Sequence, residues 1–550
     1  RLSFQGIPPV TDPARWHETH TAPTYTVDGE PHTLRWTEIA VAHETYGDHP
    51  LAHILDARGQ RILVDGKPLA CDDIDHAGLV MAHGRLFLTQ HVECIPGALY
   101  LSTVHQEEDG RLILASTRPV DLRGIRGIMN PCAADITPWG TWLSSEEYDQ
   151  DIRALEPDGS LKKDTWGYNR LKDYLGVPSK DVSTYDYGWI PEITITSADG
   201  NTSVVRHFAL GRFSHELGRV LPDRKTVLLS DDGAGVGMFL FVADTPDDLS
   251  AGRLYAMKWN ASPDGGATLD WIDLGHARDA DIAPHTRSTR FEDLLDHAAP
   301  TDKGCPEGFT ETWASQLREC LRVKPGQDVL ASRLETRRYA ALKGATVELH
   351  KGEGIAVDPK RRVVYYALSD LHEGMLAGNP STSTDHIALK ESNRCGGVLA
   401  LRTGGGARTW PDHTPIASEW VPLAADFAIQ GIPQGDKACH VDGIANPDNL
   451  AFIPEADLLL IAEDTSRHDL PALWGMNPET GGLTRLMLVP YRGEVSGIGW
   501  YPHLNGYAYL TVSVQHPFEP SKMPKDPPPG LQVPPTPPPS LSGVLGPIKL

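Results

Sequence analysis

At 550 residues, with 73 Asp and Glu against 50 Lys and Arg and a net charge of −23, the chain carries a field that repels phosphate backbones and anionic bilayers, which excludes nucleic acid and membrane surfaces as partners. An anionic small molecule could bind only where the local acids are neutralised by cations. No run of about 18 apolar residues occurs, so no transmembrane helix is expected, and the length suits either several domains or one large all-β unit.

The chain opens at Arg1 without a Met, a basic n-region or an apolar h-region, as a leader-trimmed chain would. A cloning boundary would look the same. From there short apolar runs rich in Val, Ile, Leu, Phe and Tyr, broken by Gly, Pro, Asp and Asn, predict strands joined by tight turns. A degenerate unit recurs: a polar or acidic head, an apolar strand, a turn, a second apolar strand, then another acid. Its six copies are DHAGLVMAHGRLFLTQHVE (75–93), NPCAADITPWGTWLSSEE (130–147), HELGRVLPDRKTVLLSDD (215–232), EGIAVDPKRRVVYYALSD (353–370), PDNLAFIPEADLLLIAED (447–464) and EVSGIGWYPHLNGYAYLTVSVQH (494–516).

Repetition of a β unit at this scale predicts an all-β fold, a six-bladed β-propeller of one domain over 1–550 in which each inner strand lines a central channel. The mean spacing of roughly 73 residues exceeds the 40–45 of a bare blade, so the blades must carry large insertions. These fall at 149–186 and 276–345, read as a lid over one face. The second holds SRLETRRYAALKG, an amphipathic helix closed by Gly344. Trp139 and Trp142, in TPWGTW, are expected to pack between blades. The Pro-rich tail, about 517–540, is read as an extended surface segment without a required function. Cysteines at 71, 94, 132, 305, 320, 395 and 439 are odd in number and form no CxxC pair. A zinc ribbon and a full disulfide framework are therefore both disfavoured, with at least one thiol free.

In a propeller the unit heads open strands at one axial end and converge. The heads are Asp75 or His76, Cys132, Glu216, Glu353, Asp448 with Asn449, and Glu494; the second acids include Glu93, Glu146, Glu147, Asp231, Asp232, Asp370, Glu463 and Asp464. Taken singly, each acid has an alternative reading as an N-cap, an Asx turn or a solvated loop residue. Together they cannot crowd without cations, and hard cations with oxygen ligands, calcium first, are the expected answer. Cys132 sets a soft thiolate among hard oxygens, which suggests iron beside the calcium, against the alternative of a buried structural Cys. Lys351, two residues before Glu353, and Arg212, in GRFSHE, are candidate grips for phosphate oxygens, or else salt-bridge partners. His215 and His516 are read as orienting ligands through hydrogen bonds.

The segments NPCAADITPWGTWLSSEE, GRFSHE, TRRYAALKGAT followed by Glu353, NPDNLAF, EVSGIGWYP and VSVQHP resemble those of the PhoX-type alkaline phosphatases, in order and spacing, from about Leu2 to Pro517. The resemblance implies a six-bladed propeller, exported to the periplasm or secreted, that hydrolyses phosphate monoesters with an iron and calcium cluster bridged by an oxo group. It makes Cys132 an iron ligand and Glu147, Glu216, Glu353 and Asp448 ligands of iron or calcium; Asn449, Glu93 and Glu494 are looser transfers. The chain departs from the family where Ala133, Ala134 and Asp135 follow the Cys in place of Gly-Gly, and where Lys351 and Gly352 precede the Glu in place of Arg-Pro. Lys lacks the planar fork of Arg, so phosphate gripping should change even with the same metals.

The function expected is in-line attack on a phosphoryl group by a metal-bound oxo or hydroxide, in a monomer acting on a small phosphate ester. The alternatives are a hydrolase of another ester, phosphodiester or lactone, on the same scaffold, and a non-catalytic binding propeller stabilised by calcium.

Overall fold

The computed structural model describes every residue except 159, 381–383 and 385. Over the described residues the strands form six radial antiparallel blades. The first comprises Ile74–Ala82, Arg85–Val92, Ala98–Gln106 and Leu112–Pro119, and the second Asp135–Ile136, Trp142–Leu143, Ile190–Ile195 and Thr202–His207. The third runs from His215–Val220 to Ala267–Arg278 and the fourth from Gly352–Asp358 to Val421–Gln430; their outermost strands pair, Ala267 opposite Ala425, so the two blades share one nine-stranded sheet. The fifth spans Pro447–Ile453 to Leu483–Leu488. In the sixth, Glu494–Leu504 and Tyr507–Gln515 are completed by Leu541–Ile548, beyond the Pro-rich tail, and by Trp36–Val41 from the start of the chain. Neither outer strand was in the sequence repeat. Drawing a strand from each end of the chain into one blade ties the two ends together and closes the ring.

Apolar faces between blades form the core. Trp142 is buried with Phe87, Val80 and Ile193 between the first two blades, while Trp139, partly buried, packs with Trp189 and Phe239 between the second and third.

The two insertions interlock. Arg338, in the 276–345 segment, reaches Asp151 at 2.9 Å and Glu319 at 2.8 Å, Arg153 pairs with Glu319, and Arg337 bridges Asp149 at 3.4 Å and Asp231 at 2.6 Å. The expected single helix is two short ones, Asp328–Leu334 and Thr336–Leu342, broken at Glu335. The Arg333 carbonyl is diverted to the Arg212 amide (2.9 Å) and the Thr336 hydroxyl (3.1 Å), and the Glu335 carboxylate is held by Tyr185 (2.8 Å) and Arg338 (3.1 Å). Tertiary hydrogen bonds outcompete the helical ladder there, and Gly344, at φ +94°, closes the second helix as expected.

Cysteine pairing corrects the sequence expectation. Disulfides link Cys71 to Cys94, Cys305 to Cys320 and Cys395 to Cys439, and only Cys132 remains as a buried thiol. The odd count was explained by one excluded cysteine rather than by missing bridges. Three bridges fit a protein that folds in an oxidising compartment. No helix among the described residues is long and apolar enough to cross a membrane.

His207, at the end of the second blade's outer strand, is buried between two carboxylates: Nδ1 is 2.7 Å from Asp279 of the second insertion and Nε2 is 2.7 Å from Glu192. Burial alone would lower its pKa, but the hydrogen bonds to Asp279 and Glu192 raise it to about 9. A raised folded pKa contributes stability that is complete below the unfolded value of about 6.5 and is lost as pH climbs through 9, here about 3 kcal/mol. The gap in unfolding free energy between the wild type and His207→Gln should therefore shrink by about that amount between pH 6 and pH 10. An equal gap at both pH values would contradict the ion-paired assignment.

Candidate metal centre

The inner strands lie side by side around the channel, the sixth returning to the first, and all begin at the same mouth. In four of them one extra residue is inserted at the head: Ile74 to Ala77 faces Val92 to Gln90, His215 to Leu217 faces Asp231 to Ser230, Gly352 to Ile355 faces Leu368 to Tyr366, and Pro447 to Leu450 faces Glu463 to Ile461. A bulge bends the strand and re-aims the side chain inside it. The residues so re-aimed are Asp75, Glu216, Glu353 and Asp448 with Asn449. Neighbouring heads also approach closely, because a Cβ on Gly354 would meet the Asp448 carbonyl at 2.4 Å and one on Gly497 the Asp75 carbonyl at 2.4 Å. Glycine is required at both.

The result is a continuous belt of acids. Ligand atoms of Asp75, Glu93 and Cys132 lie within 4.8 Å of one another, as do those of Cys132, Glu147 and Glu216, of Glu147, Glu216, Asp232 and Glu353, and of Asp448, Asp464 and Glu494. The Cys132 sulfur sits 2.7 Å from Glu216 Oε2 and 3.0 Å from Asp75 Oδ2. Asn130 Nδ2 donates to Glu147 at 3.1 Å, and Asn449 Nδ2 lies 3.5 Å from Glu216 and 3.3 Å from Asp448, its own oxygen accepting from the Gly497 amide at 2.9 Å.

Such an arrangement opposes ionisation. Burial, then Glu494 and Asp448, push the Asp75 carboxyl up to about 8; burial, then Asp448 and Glu147, hold Glu216 well above the carboxylate range; burial, then Asp232 and Asp448, do the same for Glu353. The Cys132 thiol is pushed up by burial and by Asp75. Asp75 Oδ1 and Gln515 Oε1 are buried with no hydrogen-bond partner. Protons alone leave those acceptors orphaned, whereas cations would engage them, so the donor set fits bound metal: many hard oxygens with one sulfur at a single place.

The predicted residues Cys132, Glu147, Glu216, Glu353, Asp448, Asn449, Glu93 and Glu494 all stand at this belt. Lys351, at φ +52°, has its ammonium 4.0 Å from Glu353 Oε1. Burial disfavours its charge, but Asp232 and Glu353 more than restore it. His516 Nε2 is 3.0 Å from Glu494 Oε2. Two expectations are corrected. Arg212 does not face the belt: its Nε and Nη2 donate to the carbonyls of Tyr187 (2.7 Å) and Gln150 (2.6 Å), and its guanidinium lies over the Tyr185 ring. Its loop turns towards the insertions before the strand bearing Glu216 begins. His215 likewise bonds the Gly211 carbonyl at 2.8 Å and packs on Phe213, with burial lowering its pKa to about 3.

Asp75, Asp232 and Asp464 join the belt although they were not among the selected ligands. Alternation along a strand explains how the acid pairs divide. In each pair the first member locks its blade. Glu146 accepts from the Met129 and Trp189 amides and Arg206, Asp231 from the Ser214 and Gly237 amides and Arg337, and Glu463 from the Ala445 and Ala472 amides, Trp474 and His468. The second member, Glu147, Asp232 or Asp464, then faces the channel. The tail contributes as well: Lys522 Nζ lies 3.7 Å from Asp464 Oδ1. No sequence signal marked that lysine. Asp370 pairs with Arg394 at 2.7 Å, and Asp135, one of the family departures, pairs with Arg219 at 2.6 Å and accepts from the Val220 amide, joining the second blade to the third.

No curated protein sequence matches the chain. Among solved structures it is similar to Pseudomonas fluorescens PhoX in complex with vanadate, described as a transition state analogue, at 17% identity and a TM-score of 0.63, covering 99% of this chain and 98% of that one. More distant likenesses include a putative 6-phosphogluconolactonase from Bacteroides uniformis (14% identity, TM-score 0.28, 75% and 86% covered) and the periplasmic gluconolactonase PpgL from Pseudomonas aeruginosa (11%, 0.31, 83% and 97%). The family model described as alkaline phosphatase PhoX matches residues 109–517. That span takes in five of the six strand heads and both insertions, so the chain belongs to the PhoX family of alkaline phosphatases.

Proposed function

We propose that this phosphatase hydrolyses phosphate monoesters at the acid belt, with calcium held by the carboxylates and iron beside the Cys132 sulfur. The observation that carries the reading is the convergence of carboxylates and one thiol, with unpartnered buried oxygens, beside two ammonium-bearing side chains. When bound, the cations would neutralise charge developing on the phosphoryl oxygens. The chain's own residues do the rest. Lys351 and Lys522 offer point charges to non-bridging oxygens, Asn130 and Asn449 fix the carboxylates of Glu147, Glu216 and Asp448, and His516 fixes Glu494. The interlocked insertions wall the mouth at Asp149 and restrict water there. Three disulfides support export to the periplasm or beyond.

Lys351→Ala is expected to lower kcat/KM for p-nitrophenyl phosphate by about 10²-fold with metal content unchanged, since removing one preorganised donor costs that much or more. An unchanged kcat/KM would exclude Lys351 from the phosphate grip. A panel of phosphomonoester, phosphodiester and lactone substrates tests the class: monoesters should be turned over fastest, and faster cleavage of either other class would overturn the assignment.

A further inference from the structure

Next to the belt, the chain spends strain to expose a tryptophan. Tyr148, directly after Glu147, adopts φ +61°, a left-handed conformation that disfavours a side chain. It is pinned from both sides: its amide donates to Ser214 Oγ at 2.9 Å, and the following Asp149 is held by Arg337. Trp166, in the first insertion, is also left-handed at φ +57°, as is Gly167 at φ +85°. Arg170 braces that turn through the carbonyls of Gly167 and Trp166, each at 3.4 Å, and Asp164 caps it by accepting from the Asn169 amide at 2.9 Å. The two rings stack, with centroids 4.8 Å apart and planes 19° from parallel. Trp166 is nevertheless 64% exposed, the most exposed large hydrophobic side chain among the described residues. Stability would favour burying so large an apolar ring. A braced, strained turn that instead presents an indole face beside a reaction centre has the form of a ligand platform.

We propose that Tyr148 and Trp166 form an aromatic platform for the leaving group, which selects phosphate monoesters carrying a planar heteroaromatic or aromatic ring. It rests on the acid belt being the phosphatase centre. Tyr148 carries the wall outward from Glu147, and Trp166 offers its open face to the ring of a bound ester, as aromatic side chains do for bases.

Adenosine 5′-monophosphate and ribose 5-phosphate share the leaving oxygen on the ribose 5-carbon and differ in the base, so their ratio of kcat/KM isolates ring recognition. The wild type should favour the nucleotide by about tenfold, through KM. Trp166→Ala should remove most of that preference, and Trp166→Phe, which keeps a ring, should keep most of it. Equal preference in the wild type and Trp166→Ala, or no preference in the wild type, would overturn the platform. Failure of the metal-loaded wild type to cleave either ester would overturn the belt assignment, and the platform with it.

Discussion

Glu216→Gln should cut phosphatase turnover by about 10³-fold while leaving the propeller folded, because a bound metal contributes several kcal/mol to the transition state and this side chain is shared between two ligand groups. Its carboxylate is 2.7 Å from the Cys132 sulfur and is surrounded by Asp448 and Glu147, which with burial hold its pKa up. Gln keeps the shape and the hydrogen bond from Asn449 but removes a carboxyl that, without metal, must either repel its neighbours or take up a proton. The metal-free variant should therefore unfold at or above the temperature of the metal-free wild type, and should gain less stability when calcium is added. Most core substitutions destabilise, so that opposite sign is diagnostic. A variant that unfolds early without metal would make Glu216 a structural residue; one with full activity would remove it from the centre.

Chelation carries the second large effect. Asp75, Glu93, Glu147, Glu216, Asp232, Glu353, Asp448, Asp464 and Glu494 share the mouth with Lys351 and Lys522. Removing cations leaves these acids to repel one another or to take up protons against their ordinary pKa. Several sites each saturated to about 1,000 times Kd contribute about 4 kcal/mol apiece, so exhaustive EGTA treatment should lower the unfolding midpoint by about 10 °C or more and abolish turnover together. Calcium should restore both. Activity surviving complete removal of calcium would refute its role in the reaction, and a midpoint that did not move would show that the belt holds itself together by protons.

What the sequence could reveal followed from repetition. Blade number and the heads at Glu216, Glu353 and Asp448 were legible because the same offset recurs in distant segments, and a strand head has one place to go in a propeller. The choice within each acid pair was legible only in part. Period-2 alternation tells that Asp231 and Asp232 point oppositely, but not which one meets Arg337 from an insertion more than a hundred residues away. Arg212 misled for a related reason: four residues from a ligand is near in sequence, yet the intervening loop turns to the Tyr187 and Gln150 carbonyls. Lys522 lay in a segment whose prolines say only that it is extended. The sixth blade's outer strands, Leu541–Ile548 and Trp36–Val41, follow no repeat because closure draws them from both ends of the chain. The helix break at Glu335 was invisible because tertiary partners, Arg212 among them, overrode a favourable periodicity.

The central claim is that strand heads from six blades share cations that none could hold alone. Anomalous scattering from crystals of protein purified without chelator, recorded at the iron edge and at a wavelength sensitive to calcium, tests it directly. The account predicts an iron peak within bonding distance of the Cys132 sulfur, and calcium peaks among Glu147, Glu216, Asp232 and Glu353 and among Asp448, Asp464 and Glu494. A channel mouth without peaks, its carboxylates paired through protons, would contradict it.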